Sequence, residues 1–219
     1  MNKKQIYSWA LYDWANSAFA TTVMAGFFPI FFSQYWSNPD NLSISTFYLG
    51  LGNSIASLIV ALLAPVLGAI ADRGSYKKKF LIFFAFLGIV MTLSLGFIAQ
   101  GMWPIALLVY IFSTIGFSGA NIFYDSLLPS VSDKKNVDYV SALGFSLGYL
   151  GGGILIIINF LMISYPATFG LVDAVEATKY SFISVGAWWS VFSIPLILFV
   201  DEPKFYQRES ISESVINGL

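Results

Sequence analysis

The sequence predicts an all-α membrane protein, a bundle of six transmembrane helices. Three observations carry this prediction. Six apolar stretches are each long enough to cross a bilayer, polar segments separate most of them, and the basic residues fall almost wholly on alternate connections. Composition agrees: 57% of residues are hydrophobic, 11% are charged, and the mean hydropathy is +0.74. A soluble domain holds about 25% charged residues, so this chain lacks the polar surface that solubility requires.

A hydrocarbon core about 30 Å thick takes roughly 20 apolar residues in helical form. The first span is expected over about 6–36, with an unusually polar start, YSWALYDWANSAFA. A cleaved signal peptide does not fit, because the stretch is too long and carries Asp13 and Asn16. Residues 37–45 (SNPDNLSIS) form a turn-rich loop, followed by a second span over about 46–71 with Pro65 as a kink. The basic loop 72–79 leads to a third span over about 80–99, and Gln100–Gly101 makes a tight turn. The fourth span covers about 102–124, and 125–138 (DSLLPSVSDKKNVD) is a polar connector. A glycine-rich fifth span covers about 139–163, an acidic loop follows, and the sixth covers about 179–200. The bundle is thus expected over 1–203, with 204–219 a polar tail.

The charges test this count. Lys3, Lys4, Arg73, Lys77, Lys78, Lys79, Lys134, Lys135, Lys204 and Arg208 fall on one side, and Lys179 alone falls on the other. Basic residues are retained in the cytoplasm, so both termini are expected there, with an even number of crossings. Trp36 and Trp103 fall at expected outer boundaries and Trp9 at an inner one. The lack of a targeting peptide suits a bacterial inner membrane.

The chain has no cysteine and no histidine. That removes disulfides, Cys/His zinc sites, imidazole acid–base catalysis, and Cys–His or Ser–His nucleophiles. No metal or cofactor is expected, and a metal site would have to be oxygen-only. A net charge of −1 gives no reason to expect nucleic acid. The partners expected are the lipid bilayer, a small-molecule substrate, and protons or a cation.

Asp13, Asn16 and Ser17 are spaced i, i+3, i+4 and so share one helix face. An ionisable group within a span is costly and usually faces the bundle interior or a water-filled path. One reading makes this face the transport path, with Asp13 a proton or cation site. The other has Asp13 capping or pairing with loop bases such as Arg73. Asn121 and Asp125, spaced i, i+4, stand at the cytoplasmic end of the fourth span. Asp125 either ends that helix or pairs with Arg73 to latch an inner gate. Asn53 either faces the path or bonds a neighbouring helix. Gly144, Gly148 and Gly152 permit close helix packing. Tyr12 and Trp14 read as packing or interface anchors, and most phenylalanines as lipid-facing or packing residues. An intramembrane enzyme built on an Asp13–Asp125 dyad is set aside, since both read as gate or path residues.

The stretch GAIADRGSYKKKF (68–80) resembles the signature between the second and third spans of the major facilitator superfamily, G-x-x-x-D-R-x-G-R-R-K. Gly68, Asp72, Arg73, Lys77 and Lys78 match it; Ser75 replaces its second glycine and Tyr76 its first basic residue. LYDWANSAFATTVMAGFFPIFF (11–32), IFYDSLLPSV (122–131) and GYLGGG (148–153) resemble the vacuole-effluxer-like branch, related to fungal autophagy-associated amino-acid exporters. The fifth span also resembles an exporter pattern, G-x-x-x-G-P-x-x-G-G, with Tyr149 in place of the proline. The resemblance implies a secondary transporter working by alternating access, with a charge latch at 68–78 and a cavity lined by the first and fourth spans. Amino acids are the substrate class known for the fungal relatives. The superfamily fold has twelve spans in two six-helix halves. This chain is therefore expected to be an N-terminal half that needs a second six-helix half, from the same gene or a separate chain. The competing expectation is a remnant or assembly subunit that does not itself transport.

Overall fold

The computed structural model describes residues 2–202, so the expected tail at 204–219 lies outside the described residues. Six helices are long and apolar enough to cross a membrane: α1 (Lys3–Trp36), α2 (Leu42–Gly74), α3 (Lys77–Leu95), α4 (Trp103–Ser126), α5 (Val137–Ser164) and α6 (Ala174–Phe199). A single helical turn, Leu128–Val131, and a 3₁₀ turn, Pro166–Phe169, interrupt the longer connections. Among the described residues there is no strand.

Polar caps lengthen several helices beyond their apolar runs. Asn2 accepts the Lys4 N–H at 3.1 Å and starts α1 at Lys3. Asn41 accepts the Ile44 N–H at 3.4 Å, so α2 begins at Leu42, ahead of the expected Thr46. Asp173 accepts the Glu176 N–H at 2.8 Å and starts α6 at Ala174, ahead of Lys179. Each side chain satisfies a backbone donor that has no partner within its helix. At the start of α3 the cap comes from a distance. The Glu202 carboxylate accepts the N–H groups of Lys77 and Lys78 at 2.7 and 3.2 Å. These lysines therefore sit in the first turn of α3 and not in a loop.

α1 is not a uniform α-helix. Phe19–Phe27 and Phe32–Trp36 are π-helical, and the N–H groups of Phe28 and Ser37 reach five residues back to Val23 and Phe32. Pro29, which has no N–H to give, stands between the two stretches. Such wide turns concentrate at functional positions in helices.

Glycine sets the closest contacts. A Cβ on Gly116 of α4 would run into the backbone of Gly88 on α3. On α5, Gly144, Gly148, Gly151 and Gly152 abut Trp9, Ser17, Trp14 and Thr21 of α1. Stacked aromatics fill the space between helices: Phe28 on Tyr110 at 4.0 Å, Trp9 on Tyr124 at 4.3 Å and Trp36 on Phe182 at 5.8 Å. α1 and α4 are the most buried helices, and α2 is the least. The start of α1 and the end of α6 meet at one end of the bundle, where Gln5 donates to Asp201 at 2.8 Å and Lys4 lies over the Phe199 ring.

Candidate functional site

Asp13 stands ten residues into α1, or about 15 Å along its axis. Insertion scales place the cost of a carboxylate at such depth at about 3 kcal/mol, so its surroundings matter. The carboxylate accepts one long hydrogen bond, from Ser17 Oγ at 3.3 Å. Among the described residues no Lys or Arg pairs with it. Gly148 of α5 lies directly opposite: a Cβ there would stand 2.7 Å from Ser17 Oγ and 3.1 Å from Asp13 Cγ. The missing side chain lets α5 pass close to the acid. The pair opens onto a pocket of about 200 Å³ lined by Asp13, Ser17, Ala20, Thr21, Phe145 and Tyr149, with Gly148 as its floor. Thr21 closes one side and places its hydroxyl 3.1 Å from Ser17 O and 3.3 Å from Gly152 O.

The face shared by Asp13, Asn16 and Ser17 divides in the bundle. Asp13 and Ser17 turn to α5, whereas Asn16 is 1% exposed and donates its amide to Asn121 Oδ1 on α4. Asn121 thus meets α1 through Asn16. One turn lower on α4, the Trp9 indole donates to Tyr124 O at 3.1 Å, and the buried Tyr124 hydroxyl has no hydrogen-bond partner among the described residues. Asn53 accepts from the Tyr110 hydroxyl at 3.0 Å and ties α2 to α4. Tyr12 is fully buried in the core, and Trp14 stacks on Trp188 at 5.6 Å.

The residues of the basic stretch gather at the end of the bundle where α1 starts. Lys77 pairs with Asp72 at 2.7 Å and reaches Ser126 O at 3.5 Å. Lys78 donates to Val200 O at 2.7 Å. Arg73 lies in the last turn of α2, and Asp125, exposed, is one residue from the end of α4. Gly68 has open space where a Cβ would be, so close packing is not what places glycine there. The ends of α2, α3, α4 and α6 are thereby joined by hydrogen bonds and an ion pair around this short segment.

Several participants escaped the sequence reading. Ala20, Thr21, Phe145 and Tyr149 line the Asp13 pocket, and Glu202 caps α3. The aromatics were discoverable from their spacing, since they flank Gly148 at i−3 and i+1. Glu202 had no local signal, because its partners lie 125 and 124 residues away.

Residues 41–219 match the family model described as vacuole effluxer Atg22 like. The chain belongs to that family. The chain is similar to a Bacillus subtilis protein, the uncharacterized MFS-type transporter YxiO, 41% identical over 94% of this chain and 49% of its own length. An uncharacterized Aquifex aeolicus protein is 26% identical over 96% of this chain and 50% of its own. Autophagy-related protein 22 of Eremothecium gossypii is 20% identical over 91% of this chain and 46% of its own. The chain spans about half the length of these relatives. No solved structure matches it. The resemblance drawn from 11–32, 68–80, 122–131 and 148–153 is thus confirmed at the level of the family. It is a family of transporters, MFS-type and vacuole effluxer-like, and not of enzymes.

Proposed function

We propose that this chain is the N-terminal half of a secondary active transporter that moves a small polar solute by alternating access. Amino acids are the first class to test. The observation that carries this reading is Asp13, an acid within the first span without a basic partner among the described residues, facing a pocket between α1 and α5. Nothing in packing alone calls for a carboxylate there, given what its insertion costs. Asp13 and Ser17 form the coupling face, where a proton or cation is taken up, and Asn16, Asn53 and Asn121 hold α1, α2 and α4 in the register that frames the path. Gly68, Asp72, Arg73, Lys77, Lys78 and Asp125 form the gate at the end of the bundle where α1 starts and α6 ends, which the distribution of basic residues assigns to the cytoplasm. The host membrane on this reading is a bacterial inner membrane.

The experiment is flux through the chain reconstituted in liposomes with a complementary six-helix half, using a panel of radiolabelled amino acids under an imposed pH gradient. Gradient-driven movement of at least one of them is expected, with Asp13→Asn reducing it by about tenfold or more. Gradient-dependent flux that is unchanged in Asp13→Asn removes Asp13 from coupling.

A second reading makes the chain an assembly subunit or remnant that does not transport. It is favoured by the match to only about half of each relative. Isolation of the chain from its native membrane separates the two readings. A second six-helix chain that co-purifies in equal amount and carries solute flux with it in liposomes supports the transporter, and a lone chain, or a pair without flux, supports the alternative.

A further inference from the structure

We propose that the pocket between α1 and α5 binds a small organic ammonium group, with Asp13 as its counter-ion and Phe145 and Tyr149 as its aromatic wall. This rests on the reading of Asp13 as a solute-path residue and gives that path a ligand chemistry.

An ionised carboxylate offers about four acceptor sites, and Asp13 uses one of them, at 3.3 Å to Ser17. Three of the lysines at the end of the bundle where α1 starts are engaged with other groups: Lys4 with the Phe199 ring, Lys77 with Asp72 and Lys78 with Val200 O. An unpaired charge in a low-dielectric setting favours whatever positive group enters. The walls then say which kind. Phe145 and Tyr149 are 63% and 80% exposed, both on the pocket, one on each side of Gly148 in sequence. Aromatic faces attract cations and favour ammonium heads in particular.

A hard metal ion fits poorly. Calcium takes 6–8 oxygen ligands and magnesium demands octahedral geometry. The pocket offers one carboxylate, the Ser17 and Thr21 hydroxyls and the Tyr149 phenol, and the Thr21 hydroxyl is already turned to backbone carbonyls. Among the described residues there is no cluster of acids that could hold a metal. The volume, about 200 Å³, lies below the roughly 300–1,000 Å³ typical of drug-sized ligands. The ligand is therefore a small head, carrying a methylated or a primary ammonium.

The test is calorimetric titration of the full chain in phosphatidylglycerol nanodiscs with choline, and in parallel with 3,3-dimethyl-1-butanol, the uncharged carbon isostere of choline. Saturable choline binding is expected, with the isostere at least about tenfold weaker. Asp13→Asn should abolish the difference between the two. Because that variant changes a buried contact, Tyr149 supplies an independent check at an exposed position: Tyr149→Phe should retain choline binding, and Tyr149→Leu should weaken it by about fivefold or more. Equal binding of choline and the isostere, no saturable choline binding, or equal behaviour of the Phe and Leu variants overturns the proposal. Ethanolamine in place of choline distinguishes a primary from a methylated head. Repeating the titration in phosphatidylethanolamine discs distinguishes a free solute, whose binding persists, from a lipid head group, which displaces it. Binding needs no flux, so ammonium binding without transport leaves the pocket standing and fails the transporter. Transport of uncharged solutes without choline binding does the reverse.

Discussion

Ser75 is the only described residue other than glycine with a positive φ, at 54° with ψ 51°. It ends α2 in the left-handed conformation that closes many helices, where the absence of a Cβ is an advantage. The superfamily pattern has glycine at this position, and here a serine adopts the same backbone. A side chain in that region costs roughly 1–2 kcal/mol. Ser75→Gly should therefore raise the stability of the chain by about 1 kcal/mol, read as a higher thermal unfolding midpoint in detergent. An unchanged or lower midpoint means that the serine makes contacts worth as much as the strain. The residue scale was partly legible in advance. Asp13 and Ser17 were visible because a carboxylate within an apolar run has few inert explanations. That Asn16 leaves them for Asn121 was not visible, since helical spacing gives a shared face but not which neighbour lies across each edge of it.

Helix existence could be read from hydropathy, and helix ends could not. Asn41 and Asp173 sit in stretches that look like loops by polarity, yet each captures a backbone N–H and draws its helix outward by a turn. The π-helical stretches of α1 left no mark in the apolar pattern either, because periodicity over a few residues does not separate a wide turn from an ordinary one. The start of α3 is the clearest case of an element fixed from afar. Glu202 takes two of its free amides, and the negative charge also complements the positive end of the helix dipole. Glu202→Gln should weaken this cap by about 1 kcal/mol. Amide exchange at Lys77 and Lys78 is then expected to quicken by about fivefold relative to the middle of α3. Equal exchange in the variant and the parent chain shows that the cap does not hold the helix start.

For the molecule as a whole, six membrane-length helices place the start of α1 and the end of α6 at one end, and on the proposed reading the asymmetry of basic residues puts that end in the cytoplasm. The chain contains no cysteine, so one introduced thiol reports its side without background. With a membrane-impermeant maleimide, Val172→Cys should label in intact cells and Lys134→Cys only after the membrane is opened. The reverse pattern inverts the orientation and moves the proposed gate to the outer face. The six-helix architecture was legible because a bilayer demands about 20 apolar residues per crossing, a constraint written along the chain. The pocket beside Asp13 was not, since it exists only where two helices meet over a missing side chain.

The grip of Glu202 on α3 has a mechanical corollary. Glu202, three positions past the end of α6, is clasped at the root of α3, beside the point where α1 begins. A shift of the end of α6 is therefore delivered to two amides next to the Lys77–Asp72 pair, so the third and sixth helices share one anchor at that rim.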